Sequence, residues 1–543
     1  MTFDIIISNG TIVDGSGNPG YTADVGIIGD QVVALGNLTG EASKKHIDAT
    51  GKVVAPGFID MHTHSDMAVL YDPHTNSKIY DGVTTEVVGN CGIGVAPVSA
   101  ANRQLLIDYL GTRMIGNLPV KLELHWTSMA EYLDYVRQHP PALNVVALLA
   151  QGAVRIAVMG FDKEAPADAQ MDEMKALVSA GMAEGAVGFS SGLIYMPGEF
   201  SSTEELAELS REIKPYQGFY VTHIRNESEG VFDALEEALT IGKTAAVPVH
   251  VSHLKVAGQS VWGHSPQLLA RIDQANRDGV ETTFDVYPYT SGMTGLTACM
   301  PPWAFEGGVE KLLTRLADSQ IRAKIIADVE NGIPGWQNLF KAAGGWENIT
   351  VTTVNSQANK GLEGKTIRQI ADLQGKDPYT AVFDLLLAEK GKVLIVLLLM
   401  SEEDLVNILK HPMAMVGSDG MSVSTEGIMS FGMPHPRAFG TRARVLGRYV
   451  REKKVLSLEE AVKKMAYMPA WRLGLPKRGL LKVGYYADVV VFDPATVRDN
   501  AEYSDPKHYS SGFDYVVVNG NVVLAEGVHQ KVFRGRVLTR GEQ

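Results

Sequence analysis

Short apolar runs alternate with amphipathic segments over most of the chain. Segments with the 3.6-residue period of a helix, such as residues 203–213, lie between apolar runs that end near residues 60, 90, 151, 190, 222, 252, 287 and 418. A buried strand followed by an amphipathic helix is the repeat of a parallel sheet. Eight such repeats predict an α/β fold, a TIM-like (β/α)8 barrel with its active site at the C-terminal ends of the strands.

Both ends of the chain show another pattern, in which short strands alternate apolar and polar residues between Gly and Asn turns. Residues 24–35 carry it near the N-terminus, and residues 487–493 and 515–523 carry it near the C-terminus. The dipeptide Asn519-Gly520 within the last segment is a typical hairpin turn. We therefore predict a small β-sandwich domain built from both termini.

The expected division of the chain follows from these two patterns. Residues 1–55 and 475–543 form the β domain, and residues 56–474 form the barrel. Residues about 291–350 exceed a minimal barrel and predict a lid-like insertion after strand 7. The Gly-, Met- and Ser-rich stretch 420–433 follows the eighth strand and is expected to be an active-site loop.

Charge and cysteine content exclude several classes of partner. The 62 acidic and 49 basic side chains give a net charge of -13 without a dense Lys/Arg block, which argues against nucleic acid or an anionic membrane. Cys91 and Cys299 are too few for a disulfide framework and are expected to remain thiols. The N-terminus lacks a basic signal region, and the most apolar stretch, 393–400, is too short to span a bilayer. We expect a cytoplasmic protein with no nucleic-acid and no membrane partner, while a homo-oligomer stays open.

Side chains of the metal-binding type follow the ends of the apolar runs. The first run leads into His62-Thr63-His64, and alternate residues of a strand point to one side, so both imidazoles aim at one point. Later runs are followed by Cys91, His223, His253 and Asp419. An isolated His-x-His pair could equally cap a strand. Recurrence at the same position of several strands favours a metal site.

Each candidate also has a structural interpretation. Cys91 could be a small buried apolar residue, and His223 and His253 could be hydrogen-bonded core residues. Asp419, which precedes a glycine, could cap a turn. Lys255, Arg437 and Tyr287 could be solvated charges and a packing ring, and residue types alone favour that interpretation for the two cations. We leave His74, His250, His264 and His435 as structural or unassigned.

Ordered motifs extend along nearly the whole chain. They occupy residues 56–66, 89–92, 190–195, 222–227, 252–255, 287–289, 417–420 and 434–437. Together they resemble the D-aminoacylase (N-acyl-D-amino-acid deacylase) family of the amidohydrolase superfamily. The ordered set is far more specific than any single motif.

The resemblance implies a role for each candidate residue. It implies one tightly bound zinc on Cys91, His223 and His253, and a weaker second metal position at the strand-1 pair, His62 and His64. It further implies that Asp419 is the catalytic aspartate. Three residues are then expected to hold the substrate carboxylate: Lys255, Tyr287 and Arg437.

The chemistry of these side chains agrees with those roles. A thiolate and two imidazoles are zinc-type ligands, and three protein ligands leave a coordination position open for catalysis. Asp419 would serve as general base and then as general acid. Arg437 can grip a carboxylate through two parallel hydrogen bonds, and Lys255 adds a point charge. The expected reaction is zinc-dependent hydrolysis of N-acyl-D-amino acids, with a small-molecule substrate that carries a free carboxylate.

Some positions depart from the family pattern. Gln151 replaces a histidine, Met293 replaces a small hydroxyl residue near the substrate carboxylate, and Met196 stands where a proline is usual. The loop 420–433 is longer than in the best-known D-aminoacylases. A different substrate preference is expected from these changes.

Two alternative functions remain at this point. One is another metal-dependent amidohydrolase acting on a cyclic amide or a dipeptide. Such barrels often bridge two metals with a carboxylated lysine on the fourth strand, and residues 185–191 contain no lysine. The other alternative is a metal-free amidohydrolase-like scaffold, against which the retention of six ligand-type and catalytic side chains argues.

Overall fold

The computed structural model describes residues 2–113 and 122–541, so the expected domain limits at residues 1 and 543 lie outside this part. Its strands are, in chain order, β1 (Phe3–Ile12), β2 (Tyr21–Ile28), β3 (Gln31–Gly36), β4 (Ser43–Asp48), β5 (Val53–Pro56), β6 (Phe58–Asp60), β7 (Val83–Val88), β8 (Asn144–Ala147), β9 (Leu149–Ala150), β10 (Phe189–Gly192), β11 (Tyr220–His223), β12 (Val249–Val251), β13 (Thr282–Val286), β14 (Ser291–Gly295), β15 (Ile349–Thr353), β16 (Leu394–Leu398), β17 (Ala414–Val416), β18 (Val489–Phe492), β19 (Phe513–Val518), β20 (Asn521–Ala525) and β21 (Val528–His529).

Helices occupy most of the connections between these strands. They are α1 (Ala68–Tyr71), α2 (Asn76–Ile79), α3 (Arg103–Arg113), α4 (Met129–Gln138), α5 (Gln151–Met159), α6 (Asp168–Ala183), α7 (Thr203–Arg211), α8 (Val231–Ala245), α9 (Ser265–Arg277), α10 (Val309–Ala317), α11 (Ser319–Asn331), α12 (Leu339–Ala343), α13 (Ile367–Gln374), α14 (Pro378–Ala388), α15 (Glu402–Lys410), α16 (Arg437–Arg444), α17 (Leu458–Met465) and α18 (Tyr467–Leu473). Helix α16 continues as a π-helical segment, Val445–Glu452. In the described part of the chain, no helix combines the length and apolar composition needed to cross a bilayer.

Single turns of 3-10 helix lie between the longer elements. They are found at Gly198–Phe200, Lys214–Tyr216, Gln259–Val261, Leu296–Cys299, Pro302–Phe305, Trp346–Asn348 and Gln357–Leu362.

Parallel strands with intervening helices form the centre of the molecule. One sheet has the order β6-β7-β8, and a second has the order β9-β10-β11-β12-β13-β17. The predicted third strand is divided into β8 and β9, which contribute to different sheets. The predicted parallel α/β architecture is confirmed, and all eight apolar runs of the sequence contribute to these strands.

Backbone hydrogen bonds join the first and last parallel strands just beyond their C-terminal ends. The amide of Asp419 donates to the carbonyl of His62 (2.8 Å), and the amide of His64 donates to that of Gly420 (3.2 Å). These contacts bring the residues after β6 beside those after β17.

Strands from both termini are hydrogen-bonded into one mixed sheet of nine strands. Strand β1 pairs with β2, β4 and β5, and β18 joins the C-terminal strands to β5. The start of β3 also contacts the segment before β18, because the amide of Val32 donates to the carbonyl of Tyr485 and the amide of Ala487 donates to that of Asp30. Buried apolar side chains from both ends of the chain form a separate cluster in this sheet.

The segment between β13 and β17 forms a substructure of its own. Its three antiparallel strands have the order β14-β16-β15, and helices α10 to α14 surround them. The sequence suggested an insertion that ends at about residue 350, but the sheet extends to Leu398. The reason is that the apolar stretch 393–400, which is too short for a membrane span, supplies the central strand of this sheet.

A buried ion cluster connects the first and last parallel strands beneath the site. The Asp60 carboxylate accepts hydrogen bonds from Lys78 Nζ (2.9 Å), Arg442 Nη1 (2.8 Å) and the backbone amide of Ser418 (2.8 Å). Burial alone would raise the pKa of Asp60, but the charges of Arg442 and Lys78 hold it well below its usual range. Asp60 is therefore an ionised buried carboxylate paired with two buried cations.

We expect Asp60→Asn to lower the free energy of unfolding by about 3–5 kcal/mol, because it leaves buried cations without their counter-ion. Chemical denaturation followed by circular dichroism measures this change. Asp134→Asn is the matched control, since Asp134 pairs with Arg137 on the surface and such exposed pairs contribute about 0–1 kcal/mol. Equal effects of the two substitutions would contradict the prediction.

Candidate metal centre and active site

His62 and His64 point to the same side of the chain, because Thr63 between them points to the other side and is hydrogen-bonded there. The Thr63 hydroxyl donates to the carbonyl of Val87 on the neighbouring strand (2.7 Å), and the Thr63 amide donates to the same carbonyl (3.1 Å). The rings of His62 and His64 lie with their centroids 5.5 Å apart. The alternation predicted from His-x-His is thus present, and both rings reach the ends of the parallel strands.

Cys91 lies in a tight loop that glycines make possible. A Cβ atom on Gly89 would overlap the carbonyl oxygen of Leu148, and one on Gly192 would overlap the carbonyl oxygen of Cys91. The loop can pack against strands β8 and β10 only because these positions lack side chains. This packing brings the thiol of Cys91 over the centre of the strand ends.

Three site residues adopt left-handed backbone conformations that side chains other than glycine rarely take. The φ angles are 54° for Cys91, 33° for His253 and 49° for Asp419. Such strain costs of order 1–3 kcal/mol per residue and persists only where neighbouring contacts impose it. Here the His253 amide donates to Asp285 Oδ1 (3.0 Å), and the Asp419 amide donates to the His62 carbonyl. These contacts hold two of the three residues, His253 and Asp419, in their left-handed conformations.

Four buried side chains bring potential ligand atoms together. His62 Nε2 lies 3.2 Å from Cys91 Sγ and 3.6 Å from Asp419 Oδ1, and Cys91 Sγ lies 3.4 Å from His253 Nε2. These atoms are all within 4.8 Å of one another, as a shared metal ion requires. His64 adjoins the group, with its Nε2 atom 3.2 Å from Asp419 Oδ1.

A second group overlaps the first through His253. It contains His223, Glu227 and His253, and the rings of the two histidines have centroids 4.4 Å apart. His223 Nε2 lies 3.6 Å from Glu227 Oε2, and neither ring nitrogen makes a hydrogen bond of good geometry within the part of the chain that the structure describes. Buried imidazoles are normally hydrogen-bonded, so a ring held only by such loose contacts fits a metal ligand. The predicted trio of Cys91, His223 and His253 thus spans two overlapping groups.

The electrostatics of the cluster favour a bound cation. Burial would raise the pKa of the Cys91 thiol, but His62 and His253 hold it well below its ordinary value, so the group is a thiolate. Burial lowers the pKa of His62, yet Asp285 and Cys91 together raise it well above its ordinary value. Burial lowers the pKa of His223, which keeps that ring neutral. Negative groups that favour a proton on His62 favour a metal ion in its place for the same reason.

Two carboxylates that the sequence did not single out orient the histidines. Asp285 Oδ2 lies 3.2 Å from His62 Nδ1 and 3.0 Å from His250 Nε2. Glu227 Oε1 lies 3.0 Å from His253 Nδ1. A carboxylate on the outer nitrogen fixes the ring and directs the inner nitrogen toward the metal. The sequence signal for Asp285 was an acidic residue within the apolar run of β13. His250, one of the histidines that the sequence leaves as structural or unassigned, contacts the same Asp285 carboxylate.

The three predicted carboxylate-binding residues have different surroundings. Lys255 Nζ donates to Glu227 Oε1 (2.6 Å). The ring of Tyr287 lies between two cations, with Lys255 Nζ 5.5 Å and the Arg437 guanidinium 4.7 Å from its centroid. Arg437 Nη1 lies 2.7 Å from Asp419 Oδ2. Of the three, only Arg437 lines the cleft above Asp419.

That cleft opens directly beside the first ligand group, because Asp419 belongs to both, and a small-molecule substrate that enters it therefore meets the ligand atoms. Its wall includes residues of the loop 420–433 and of the antiparallel insertion. The lining residues are His64, Ile93, Arg113, Tyr195, Met293, Thr294, Thr353, Leu394, Asp419, Gly420, Met421, Val423, Phe431, Pro434, His435, Arg437 and Ala438. The cleft is apolar over much of its wall, with charged groups at a few points.

The positions that depart from the family pattern also have defined places. Gln151 donates to the Ser201 hydroxyl (2.8 Å) and belongs to neither ligand group. Met293 lines the cleft, and Met196 is buried beside Tyr195, which lines it. The two methionines therefore affect the shape of the substrate site, whereas Gln151 is part of the packing beneath it.

Comparison with known proteins adds an independent observation. The model of the Amidohydrolase family matches residues 45–524. Over 538 residues the chain is 36% identical to a D-aminoacylase of Alcaligenes xylosoxydans xylosoxydans, which covers 99% of this chain and 98% of that protein.

Two solved structures are similar over 99% of this chain and 100% of their own. One is a D-aminoacylase with a binuclear metal centre, which one metal activates and a second attenuates, at 34% identity and a TM-score of 0.81. The other is the N-acyl-D-glutamate deacylase of Bordetella bronchiseptica, solved with zinc and a phosphonate mimic of the tetrahedral intermediate, at 33% identity and a TM-score of 0.82.

We expect Asp285→Asn to weaken zinc binding roughly 10- to 100-fold, because the Asp285 carboxylate accepts a hydrogen bond from the amide of His253 and orients the neighbouring ring of His62. Competition with a chromophoric chelator measures the affinity. Asp278→Asn, an exposed position at the end of α9, serves as the control and should leave the affinity unchanged. Unchanged affinity in Asp285→Asn would show that this carboxylate does not support a ligand.

Proposed function

This chain belongs to the amidohydrolase family, in its D-aminoacylase branch, and we propose that it is a zinc-dependent hydrolase of N-acyl-D-amino acids. The products are a carboxylate and a free D-amino acid. The observation that carries the proposal is the convergence of a thiolate, imidazoles and one carboxylate at the ends of the parallel strands, beside a cleft that contains Arg437.

We assign the tightly held zinc to Cys91, His223 and His253, and a weaker second metal position to His62 and His64. The loosely held ring of His223 and the thiolate character of Cys91 support the first assignment. The Nδ1 atom of His64, which has no hydrogen-bond partner among the described residues, supports the second. When bound, zinc supplies Lewis acidity toward the amide carbonyl and lowers the pKa of a bound water.

Asp419 moves the proton in the proposed reaction. Its carboxylate lies at the end of the last parallel strand, next to His64 and to the ligand group. Burial would raise its pKa, but Arg437, His253 and His64 hold the pKa well below its ordinary value, so the carboxylate is ionised, as a general base must be before the reaction. It takes the proton from the attacking water and delivers it to the departing amine.

Arg437 couples substrate binding to this step. In the free protein its guanidinium is the counter-ion of Asp419, with 2.7 Å between Nη1 and Oδ2. A substrate carboxylate that binds Arg437 replaces Asp419 as its partner and releases the aspartate toward the water. Lys255 pairs with Glu227, and the same Glu227 oxygen lies 3.0 Å from His253 Nδ1. We therefore propose that Lys255 helps to position His253, besides any contact with substrate.

The residues of the fourth parallel strand, β10, argue against a cyclic-amide hydrolase. Ser190 and Ser191 occupy its C-terminal end, where a carboxylated lysine would bridge two metals. Ser191 Oγ lies 2.6 Å from the Tyr220 hydroxyl, and Ser190 donates to the carbonyl of Gly89. These hydroxyls support strand packing and the Cys91 loop instead.

The proposal includes the arrangement of the whole chain. We infer a closed (β/α)8 barrel of residues 56–474, a β domain of residues 1–55 and 475–543, and a lid formed by the segment between β13 and β17. The lid interpretation rests on the contribution of Met293, Thr353 and Leu394 to the cleft wall. A cytoplasmic location stays a prediction.

We expect zinc-loaded protein to release amine from N-acetyl-D-amino acids and not from their L enantiomers. Asp419→Asn should lower kcat about 10²- to 10⁴-fold, which is the contribution of a general acid–base group. Amine release over a panel of both enantiomers measures this, with zinc content determined for each preparation. The absence of turnover in either series, with zinc bound, would favour a cyclic-amide or dipeptide substrate.

The substrate carboxylate should also be essential. We expect N-acetyl-D-leucinamide to be hydrolysed with a kcat/KM at least roughly 100-fold below that of N-acetyl-D-leucine, because Arg437 loses its charged partner. Initial rates at several substrate concentrations give both constants. Comparable constants for the two compounds would argue against a carboxylate-binding role of Arg437.

A further inference from the structure

Arg113 is a cation of the cleft that has no hydrogen-bond partner among the described residues. It lies in α3, and its side chain lines the same cleft as Arg437. Its Nε, Nη1 and Nη2 atoms are all buried, and none of them meets an acceptor in the described residues. Buried guanidinium groups are normally paired, so this one has unused donors in a substrate site.

Aromatic rings hold the Arg113 side chain in place. Its guanidinium carbon lies 4.5 Å from the ring centroid of Tyr195 and 5.9 Å from those of Tyr109 and Phe305. Stacking on aromatic rings stabilises the cation and leaves its in-plane N–H donors free. The rings therefore fix the position of Arg113 without using the donors that recognise carboxylates.

The nearby acid Glu199 does not neutralise this charge by a hydrogen bond. Glu199 interacts with Arg113 electrostatically, but its own Oε2 atom is also buried without a hydrogen-bond partner. Burial raises the pKa of Glu199 to about 8, against the influence of Arg225 and Arg113. At neutral pH the carboxyl group is thus mostly protonated, and the positive charge of Arg113 stays uncompensated.

The ring of Tyr195 lies between Arg113 and the candidate metal ligand His223. Its centroid is 4.5 Å from the Arg113 guanidinium carbon and 5.2 Å from the centroid of the His223 ring. The Tyr195 hydroxyl lies 3.2 Å from the Thr294 hydroxyl, which anchors the ring to the insertion. A substrate group on a short chain from the scissile amide could therefore extend along this ring to Arg113.

We propose that Arg113 binds a second carboxylate of the substrate and so selects N-acyl-D-amino acids that carry two acidic groups. The proposal rests on the proposed deacylase function, in which Arg437 holds the α-carboxylate. The second carboxylate belongs either to the amino-acid side chain or to the acyl group, and the recognition chemistry is the same for both. The apolar wall next to Arg113, which includes Met293 and Leu394, accommodates the methylene groups between them.

Two pairs of compounds distinguish the sources of the second carboxylate. N-acetyl-D-glutamate and N-acetyl-D-glutamine differ only in the charge of the side chain. N-succinyl-D-leucine and N-butanoyl-D-leucine differ in the charge of the acyl group. We expect the acidic member of one pair to have a kcat/KM roughly 100-fold above that of the neutral member, mainly through KM, because a buried guanidinium gains its counter-ion.

Arg113→Met tests the residue itself, because it retains the apolar stem and removes the charge. It should abolish the preference for the acidic compound within the pair, whereas Arg113→Lys should retain part of that preference. Arg103→Met is the matched control. Arg103 lies at the other end of α3, where its Nη1 donates to the carbonyl of Leu124, and its loss should leave the preference intact.

Direct binding separates this inference from the proposed function. Calorimetry with N-acetyl-D-glutamate and N-succinyl-D-leucine, in an Asp419→Asn background with and without Arg113→Met, reports affinity without turnover. Loss of affinity with Arg113→Met supports the inference even if no compound is hydrolysed, an outcome that would refute the deacylase proposal alone. Equal rates within both pairs in the unmodified protein, or equal affinity with and without Arg113, would overturn the inference.

Discussion

The buried carboxylate of Asp60 is the constraint on which the site depends. It receives Lys78 from α2, Arg442 from α16 and the backbone of Ser418, and so it ties the first parallel strand to the last. The strand-1 histidines lie two and four residues beyond it, and Asp419 follows Ser418 directly. Because parallel strands carry no hairpin to fix their relative position, such a cluster determines whether the ligand side chains meet at all.

Above this cluster, the candidate ligands are held in place by hydrogen bonds from neighbouring side chains. Asp285 orients His62 and fixes the backbone of His253, while Glu227 and Lys255 enclose the outer nitrogen of His253. The contact with Asp285 also holds His253 in a left-handed backbone conformation. A site built this way resists rearrangement when a substrate or a metal ion enters, which preserves the geometry needed for catalysis.

Under the proposed function, substrate selection and chemistry belong to different parts of the chain. The proposed ligands and Asp419 lie at the ends of the parallel strands, whereas much of the cleft wall comes from the antiparallel insertion, the loop 420–433 and α3. Loops and insertions tolerate sequence change better than strand ends. Changes in this wall, at positions such as Met293 and Arg113, would then alter the substrate preference and leave the reaction the same.

The sequence by itself determined the order of strands and helices and the candidates for the metal centre. This was possible because side-chain alternation and strand ends are local properties, and parallel strands bring their ends to one edge. Only the tertiary structure decided which charges pair: Glu227 with Lys255, Asp285 with His62, and, among the described residues, no acceptor for Arg113. It also decided that the apolar stretch 393–400 is the central strand of the insertion. Such pairings join residues far apart in the chain, so no local pattern encodes them.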